Sequence, residues 1–214
     1  MIMENIIIHK AAVALSGKLN LYIGRDGLEL KKMTLGMEVA IINISKLVAI
    51  YVLAALLGVV GPTAVIHIAY FAIKRYSFGL HALNSTVCTV VSCCLFVAVP
   101  LAVQVMGLGI GNVTVGAVFA VVLACLYCYA PADTKARPLI GAQLRVQLKK
   151  KAVLCGAVLM LVALLIPSGE VKLLLTLGVV FQTVSVLPIT YKILKRSERN
   201  YETYENARGQ AREH

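Results

Sequence analysis

The chain has 214 residues, 59% of them hydrophobic and 14% charged, with a formal net charge of +11. A soluble domain of this length needs more charge to cover its surface, and the mean hydropathy of +0.84 points instead to a single polytopic membrane domain. The positive balance does not imply a nucleic-acid partner. Its residues fall in alternate gaps between apolar runs: Lys10, Lys18, Arg25, Lys31 and Lys32, then Lys74 and Arg75, then Lys135 to Lys151, then the tail after Tyr191. The other set of gaps is almost bare, with Lys172 the main exception. This is the positive-inside pattern, which assigns the basic gaps and both termini to the cytoplasmic face, against anionic headgroups of the bilayer.

Along the chain, residues 1–38 alternate apolar and polar positions at roughly helical spacing without a spanning run. Two short amphipathic helices on the membrane surface are expected there, separated at Gly24 to Gly27. The first apolar stretch, Ile6 to Ile8, is cut at once by His9 and Lys10, so no cleavable signal peptide is expected. Val39 to Val60 follows, with Lys46 able to snorkel; at ~1.5 Å per residue it crosses a ~30 Å hydrocarbon core. After a turn at Gly61-Pro62, Thr63 to Ile73 is apolar but short, and spans with help from tilt or flanking residues. A polar island, residues 74–88, leads into Val87 to Met106, and a glycine-rich turn (Gly107, Gly109, Gly111) into Val113 to Ala130. A basic loop is expected over 131–151. Ala152 to Ile166 and Val171 to Ile193 are then joined by Pro167-Ser168-Gly169-Glu170. The expected fold is all-α: surface helices over 1–38, a six-helix transmembrane domain over 39–194, and a charged cytoplasmic tail over 195–214. Six crossings agree with the charge pattern.

Chemistry has few places to reside in such a chain. Most of the six cysteines lie in apolar runs, where Cys behaves as a small hydrophobe, and nothing suggests a disulfide framework. The island is different, because it holds His81 and Cys88 together. On one continuous helix, residues seven apart sit about 10 Å apart along the axis, too far for a hydrogen bond, but Gly79 and Asn84-Ser85 argue for a break. With Ser85 as N-cap, Cys88 falls in the first helical turn, where the helix dipole favours thiolate. His81 in the preceding loop is then free to fold back as a base. Cys125-x-x-Cys128 has the spacing of a redox pair but lies in an apolar span. His67 has no second ligand at metal spacing, no two acids face each other across predicted spans, and no phosphate loop is present. No metal or cofactor is expected.

Three segments carry a family resemblance: Lys74-Arg75-Tyr76 with Gly79, His81 and then Cys88; the loop Tyr129-Ala130-Pro131-Ala132-Asp133-Thr134-Lys135-Ala136-Arg137-Pro138; and Leu35-Gly36-Met37-Glu38 leading into Ile44-Ser45-Lys46-Leu47. In this order and spacing they resemble the AgrB family, membrane cysteine peptidases of Gram-positive peptide quorum sensing. The resemblance implies a protein of the bacterial cell membrane that cuts the C-terminal part from a short AgrD-like precursor peptide. It implies a thioester on the catalytic Cys, from which a side chain of the peptide closes a thiolactone or lactone ring. Carried over, Cys88 is the nucleophile, His81 the general base and Gly79 the residue that shapes the loop. Lys74 stands where the family often has Arg, which weakens a bidentate carboxylate contact but keeps the charge. A homodimer is also implied.

Three expectations follow from the residues beside it. Surface helices over 1–38 would roof the site and exclude water. The basic stretch 135–151, with Lys149, Lys150 and Lys151, would grip an acidic segment of the precursor. No Asp or Glu stands near His81 in sequence, so Ser92, one turn beyond Cys88, and Gln143 are candidates for its polar support. Two other functions compete: a small transporter whose island lines a substrate path, and a thiol redox enzyme using Cys125 and Cys128. A transporter would carry more polar residues in mid-span, or internal repeats.

Overall fold

The computed structural model describes residues 2–80, 85–134, 138–197 and 200–210; side chains at 2–7, 85–86 and 207–210 are outside the description. The described elements are helices joined by turns and loops, and Phe78 and Ala132 form an isolated bridge. Helix α1 (Ile2–Ile23) turns back at Gly24, which has φ +64°, onto α2 (Gly27–Leu56). The turn is closed by Asn20, whose carboxamide donates to the Arg25 carbonyl and accepts from the Arg25 amide. Ser16 Oγ and Thr34 Oγ1, 2.9 Å apart, join the two helices, as do His9 Nδ1 and Glu38 Oε1.

Here the structure corrects the expected boundaries. The second surface helix and the first span are one helix of 30 residues, with no break at Val39. The reason is local: between Gly27 and Leu56 there is no Pro and no interior Gly but Gly36, and one Gly is tolerated in a long helix. The sign change from polar to apolar at residue 39 is a change of environment along α2, not of conformation.

The remaining elements are α3 (Val60–Ser77), α4 (Ser85–Cys93), a π-helical turn (Cys94–Ala98) continuing into α5 (Val99–Val105), α6 (Asn112–Tyr129), α7 (Ala142–Leu165), α8 (Gly169–Val184), α9 (Pro188–Ile193) and α10 (Asn200–Gln210). Among the described residues, three stretches are long and apolar enough to cross a bilayer by length and composition: Gly27–Leu56, Val87–Val105 and Asn112–Tyr129. Two more boundaries move. The basic stretch is not a loop to Lys151, because α7 begins at Ala142 and carries Gln143, Lys149, Lys150 and Lys151. The last apolar run is not one helix to Ile193: it stops at Val184 and resumes at Pro188, whose ring has no N–H to continue a helix.

Helices α3 and α8 form the centre. At Gly178 of α8 a Cβ would stand 2.4 Å from the Ile66 carbonyl and 2.9 Å from Ala69 Cβ, so the two backbones meet at a distance that only Gly permits. This pair is the shared wall of two apolar clusters. One contains Ala69, Ile73, Phe119, Val122, Leu126 and Val179 from α3, α6 and α8, closed by Ala152 and Ala163 of α7. The other joins Ile50 and Ala54 of α2 to Ile66, Phe96, Val97 and Leu174. Large apolar side chains such as Leu56, Val113 and Leu165 face outward, as the surface of a lipid-embedded bundle requires. The protein is an all-α membrane protein.

Candidate active site

Helix α3 ends because Phe78 and Gly79 both take positive φ, +57° and +96°. Such a conformation is strained for most residues and is held here by contacts from distant segments. The Gly79 amide donates to the Ala132 carbonyl at 2.9 Å, and the Ala132 amide donates to the Ser77 carbonyl at 2.9 Å. These bonds make a short parallel bridge between Phe78 and Ala132. The Leu80 amide donates to the Ser185 carbonyl at 3.1 Å, just past the end of α8. Gly79 is buried, and a Cβ on it would lie 2.6 Å from Ser185 Oγ. Two segments singled out in the sequence, the island and the Pro131 loop, are therefore stitched together and held against α8.

A residue that sequence reasoning missed completes the clamp. Gln182 of α8 is fully buried, and its Nε2 donates to Ser77 Oγ at 2.8 Å and to the Phe78 carbonyl at 2.6 Å. It sits in an apolar run, more than 100 positions from its partners, and a polar residue among Val, Phe and Thr was the only signal available.

Cys88 lies in the first turn of α4, which starts at Ser85, and is half-buried. Ser92, one turn on, is half-buried too. His81 lies outside the described residues, as do Lys135, Ala136 and Arg137. Gln143 does not join this group: it is exposed on the first turn of α7, because the helix that replaces the expected loop turns it outward. Beyond Cys88 the span passes through the π-helical turn, where the Val99 amide donates to the Cys94 carbonyl just before Pro100.

The charged residues divide between two cavities. Lys74, Arg75, Phe78, Gly79, Ala132, Asp133 and Thr134 line one of about 330 Å³ at the foot of the island. Lys74 Nζ donates to Tyr70 Oη at 2.8 Å, which holds it at this rim. A second cavity of about 440 Å³ lies on the far side of the same loop and is lined by Tyr129, Arg145, Lys149, Tyr191 and Tyr201 among others. Asp133 stands between them, buried. Its carboxylate accepts from the Asn200 and Tyr201 amides at 2.9 and 2.8 Å, tying down the start of α10. Arg145 reaches Glu205 of α10 at 2.7 Å and lies 3.8 Å over the Tyr201 ring. Arg145, then the Gly141 amide, hold the Glu205 carboxyl below its ordinary range. Of the expected lysine grip, Lys149 is half-buried with Nζ 5.5 Å over the Tyr127 ring, while Lys150 and Lys151 are exposed. On α6, Cys125 is half-buried and Cys128 exposed. His67 is enclosed by aromatic rings, with Phe96 at 4.3 Å and Phe71 at 4.7 Å between centroids.

Comparison with known proteins bears on this site. The family model described as accessory gene regulator B matches residues 9–186, from α1 to just past α8. An AgrB-like protein of Clostridium acetobutylicum is 42% identical over 199 residues, covering 93% of this chain and 94% of that protein. An AgrB-like protein of Listeria innocua is 41% identical over 174 residues, covering 81% and 84%. The accessory gene regulator protein B of Staphylococcus haemolyticus is 30% identical over 184 residues, covering 86% and 94%. No solved structure matches the chain.

Proposed function

The chain belongs to the accessory gene regulator B family, and from that premise we propose that it is a membrane cysteine endopeptidase of peptide quorum sensing. Its substrate is a short AgrD-like precursor, its nucleophile Cys88 and its general base His81. The island faces the cytoplasm, and the two chains meet at the membrane surface.

The observation that carries this reading is the position of Cys88 in the first turn of α4, with the chain before it anchored through Ser77, Phe78, Gly79 and Leu80. A nucleophile and its base must be held within hydrogen-bond reach to act together. The clamp from Gln182, Ser185 and Ala132 supplies the rigidity that a polar loop at a membrane edge otherwise lacks. In the first step His81 takes the Cys88 proton and the sulfur attacks the scissile carbonyl. The C–N bond then breaks, the leaving amine takes the proton from the imidazolium, and the mature part of the precursor remains as a thioester. In the second step a thiol or hydroxyl of the peptide gives its proton to His81 and attacks that thioester, and Cys88 departs as thiolate. No oxidant or energy source is consumed, because the thioester keeps the acyl group activated.

Lys74 and Arg75 at the rim of the smaller cavity offer positive charge to an acidic segment of the precursor. Co-expression with a tagged precursor tests the reading, with mass spectrometry following the released C-terminal fragment and any cyclic product. Release by the wild type that is absent from both Cys88→Ala and His81→Ala, at unchanged membrane abundance, is the expected result. Release that survives Cys88→Ala refutes the proposal.

A further inference from the structure

The helix that carries Cys88 is interrupted once, by the π-helical turn Cys94–Ala98. Its mark is the Val99 amide, which donates to the carbonyl five residues back, that of Cys94, where an α-helix reaches back four. The wide turn runs into Pro100 in the first turn of α5, whose ring supplies no N–H and crowds the carbonyl four residues before it. A π turn holds one residue more than an α turn, and such turns are frequent at functional sites.

Burial shows what the extra residue does. Before the turn, Cys88, Thr89, Ser92 and Cys93 are half-buried, while Val87, Val90, Val91 and Cys94 are exposed. After it, Phe96, Val97, Pro100 and Val103 are buried. Cys88 and Pro100 therefore share the inward side although twelve positions separate them. In a continuous α-helix, at about 100° per residue, twelve steps leave a residue about 120° round from its starting face. With one residue taken up by the wide turn, eleven steps count and the offset falls to about 20°. Accommodating Pro100 does not by itself require that the upstream face return to register. The turn is anchored from the inside: Phe96 stacks on His67 of α3 at 4.3 Å and meets Tyr70 edge-on at 5.0 Å. Phe96 and Val97 also join the cluster that contains Ile66 and Leu174.

We propose that the π-helical turn is the positioning element of the nucleophile: its extra residue brings Cys88 onto the inward side of the helix, in line with Phe96, Val97 and Pro100. Without it the thiol faces about 100° away from that line. The inference rests on the peptidase reading and adds what aims its thiol.

The test shifts the helix register and then moves the thiol to follow. It uses membrane vesicles carrying the full chain and a tagged precursor, with fragment release read by mass spectrometry and each variant quantified in the membrane. Inserting one Ala between Cys94 and Leu95 rotates Cys88 off the inward face, and release falls by about 10²-fold or more. Cys88→Thr with Thr89→Cys in the uninserted chain falls as far. Combined with the insertion, the same exchange puts the thiol twelve positions before Pro100 again and recovers at least about tenfold over the insertion alone. Deleting Cys94 closes the π turn to an α turn and keeps the face, so its loss is at least about tenfold smaller than that of the insertion. A regular helix would instead suffer equally from deletion and insertion. Wild-type release by the insertion variant, no recovery in the combined variant, or equal losses for deletion and insertion each overturn the proposal. Should the insertion prevent accumulation, it is moved to the exposed Val90–Val91 junction, where the same recovery is expected and its absence has the same force. Cys88→Ala runs alongside: release that survives it defeats the peptidase reading, whereas loss there with wild-type release by the insertion variant defeats this inference alone.

Discussion

Replacing Gly79 by Ala perturbs the island at its tightest point. The new Cβ would meet Ser185 Oγ at 2.6 Å, the Ser185 carbonyl at 3.0 Å and Val186 Cγ1 at 3.1 Å. Ser185 Oγ cannot swing away freely, because it donates to the Gln182 carbonyl at 2.7 Å. The backbone adds its own penalty: a non-Gly residue at φ +96° costs about 1–3 kcal/mol. Overpacking of this kind adds about 1–3 kcal/mol. Against that strain stand three backbone bonds, Gly79 to Ala132, Ala132 to Ser77 and Leu80 to Ser185, about 0.5–1.5 kcal/mol each. The strain is the larger, so the loop lets go of α8 while the buried α3–α8 pair stays packed. Misplacement of a catalytic group by about 1 Å costs on the order of 10²-fold. Gly79→Ala is therefore expected to lose between about tenfold and 10²-fold in precursor processing, read by mass spectrometry, with membrane abundance near wild type. Adding Ser185→Ala removes the 2.6 Å contact but neither the carbonyl contact nor the strained φ, so it restores only part of the rate. Processing by Gly79→Ala within about twofold of wild type would refute the claim that the clamp positions the site.

Other consequences can be checked separately. Asp133→Ala removes the cap from α10 at a cost of about 1–2 kcal/mol, and limited proteolysis should then cleave the tail at lower protease concentration. Because Arg145 and the Gly141 amide hold the Glu205 carboxyl below its ordinary value of 4.5, this contact stabilises the docked tail fully above that value and is lost as pH falls through the lower, folded one. Tail proteolysis should rise in acid, and Arg145→Gln should bring the same exposure at neutral pH. Gly178→Ala forces a methyl to within 2.4 Å of the Ile66 carbonyl and is expected to lower thermal stability in detergent by more than the usual overpacking cost of about 1–3 kcal/mol. The double change Cys125→Ala with Cys128→Ala should leave processing intact, whereas a redox enzyme would lose its activity.

All six apolar runs were legible as helical because they are long and apolar, and among the described residues three stretches are long and apolar enough to cross a bilayer. Their ends were less so. Hydropathy reports the change of environment at residues 39 and 152, but hydrogen bonding ignores it, and α2 and α7 begin well before those points, at Gly27 and Ala142. Pro188 did signal the break in the last run, since it cannot continue a helix from α8, and the run of apolar residues through Ile193 obscured it. At the site, Gly79, Ser85 and Cys88 were readable from local chemistry: turn, helix start and thiol within ten positions. The clamp was not. Gln182, Ser185 and Ala132 reach the island only through the tertiary fold, and nothing in their neighbourhoods marks them as its partners. Gln143 was read as part of a loop, and the structure instead places it, exposed, on the first turn of α7.

The central claim is a covalent one, that Cys88 carries the mature part of the precursor as a thioester. Membranes with the wild-type chain and a precursor lacking its own ring-closing side chain should accumulate this adduct. Intact-mass spectrometry should find it on the peptide containing Cys88 and see it released by neutral hydroxylamine. Its presence there, and its absence from Cys88→Ala, is the result the account predicts. Release of the C-terminal fragment at the normal rate with no acyl adduct on Cys88 would contradict it.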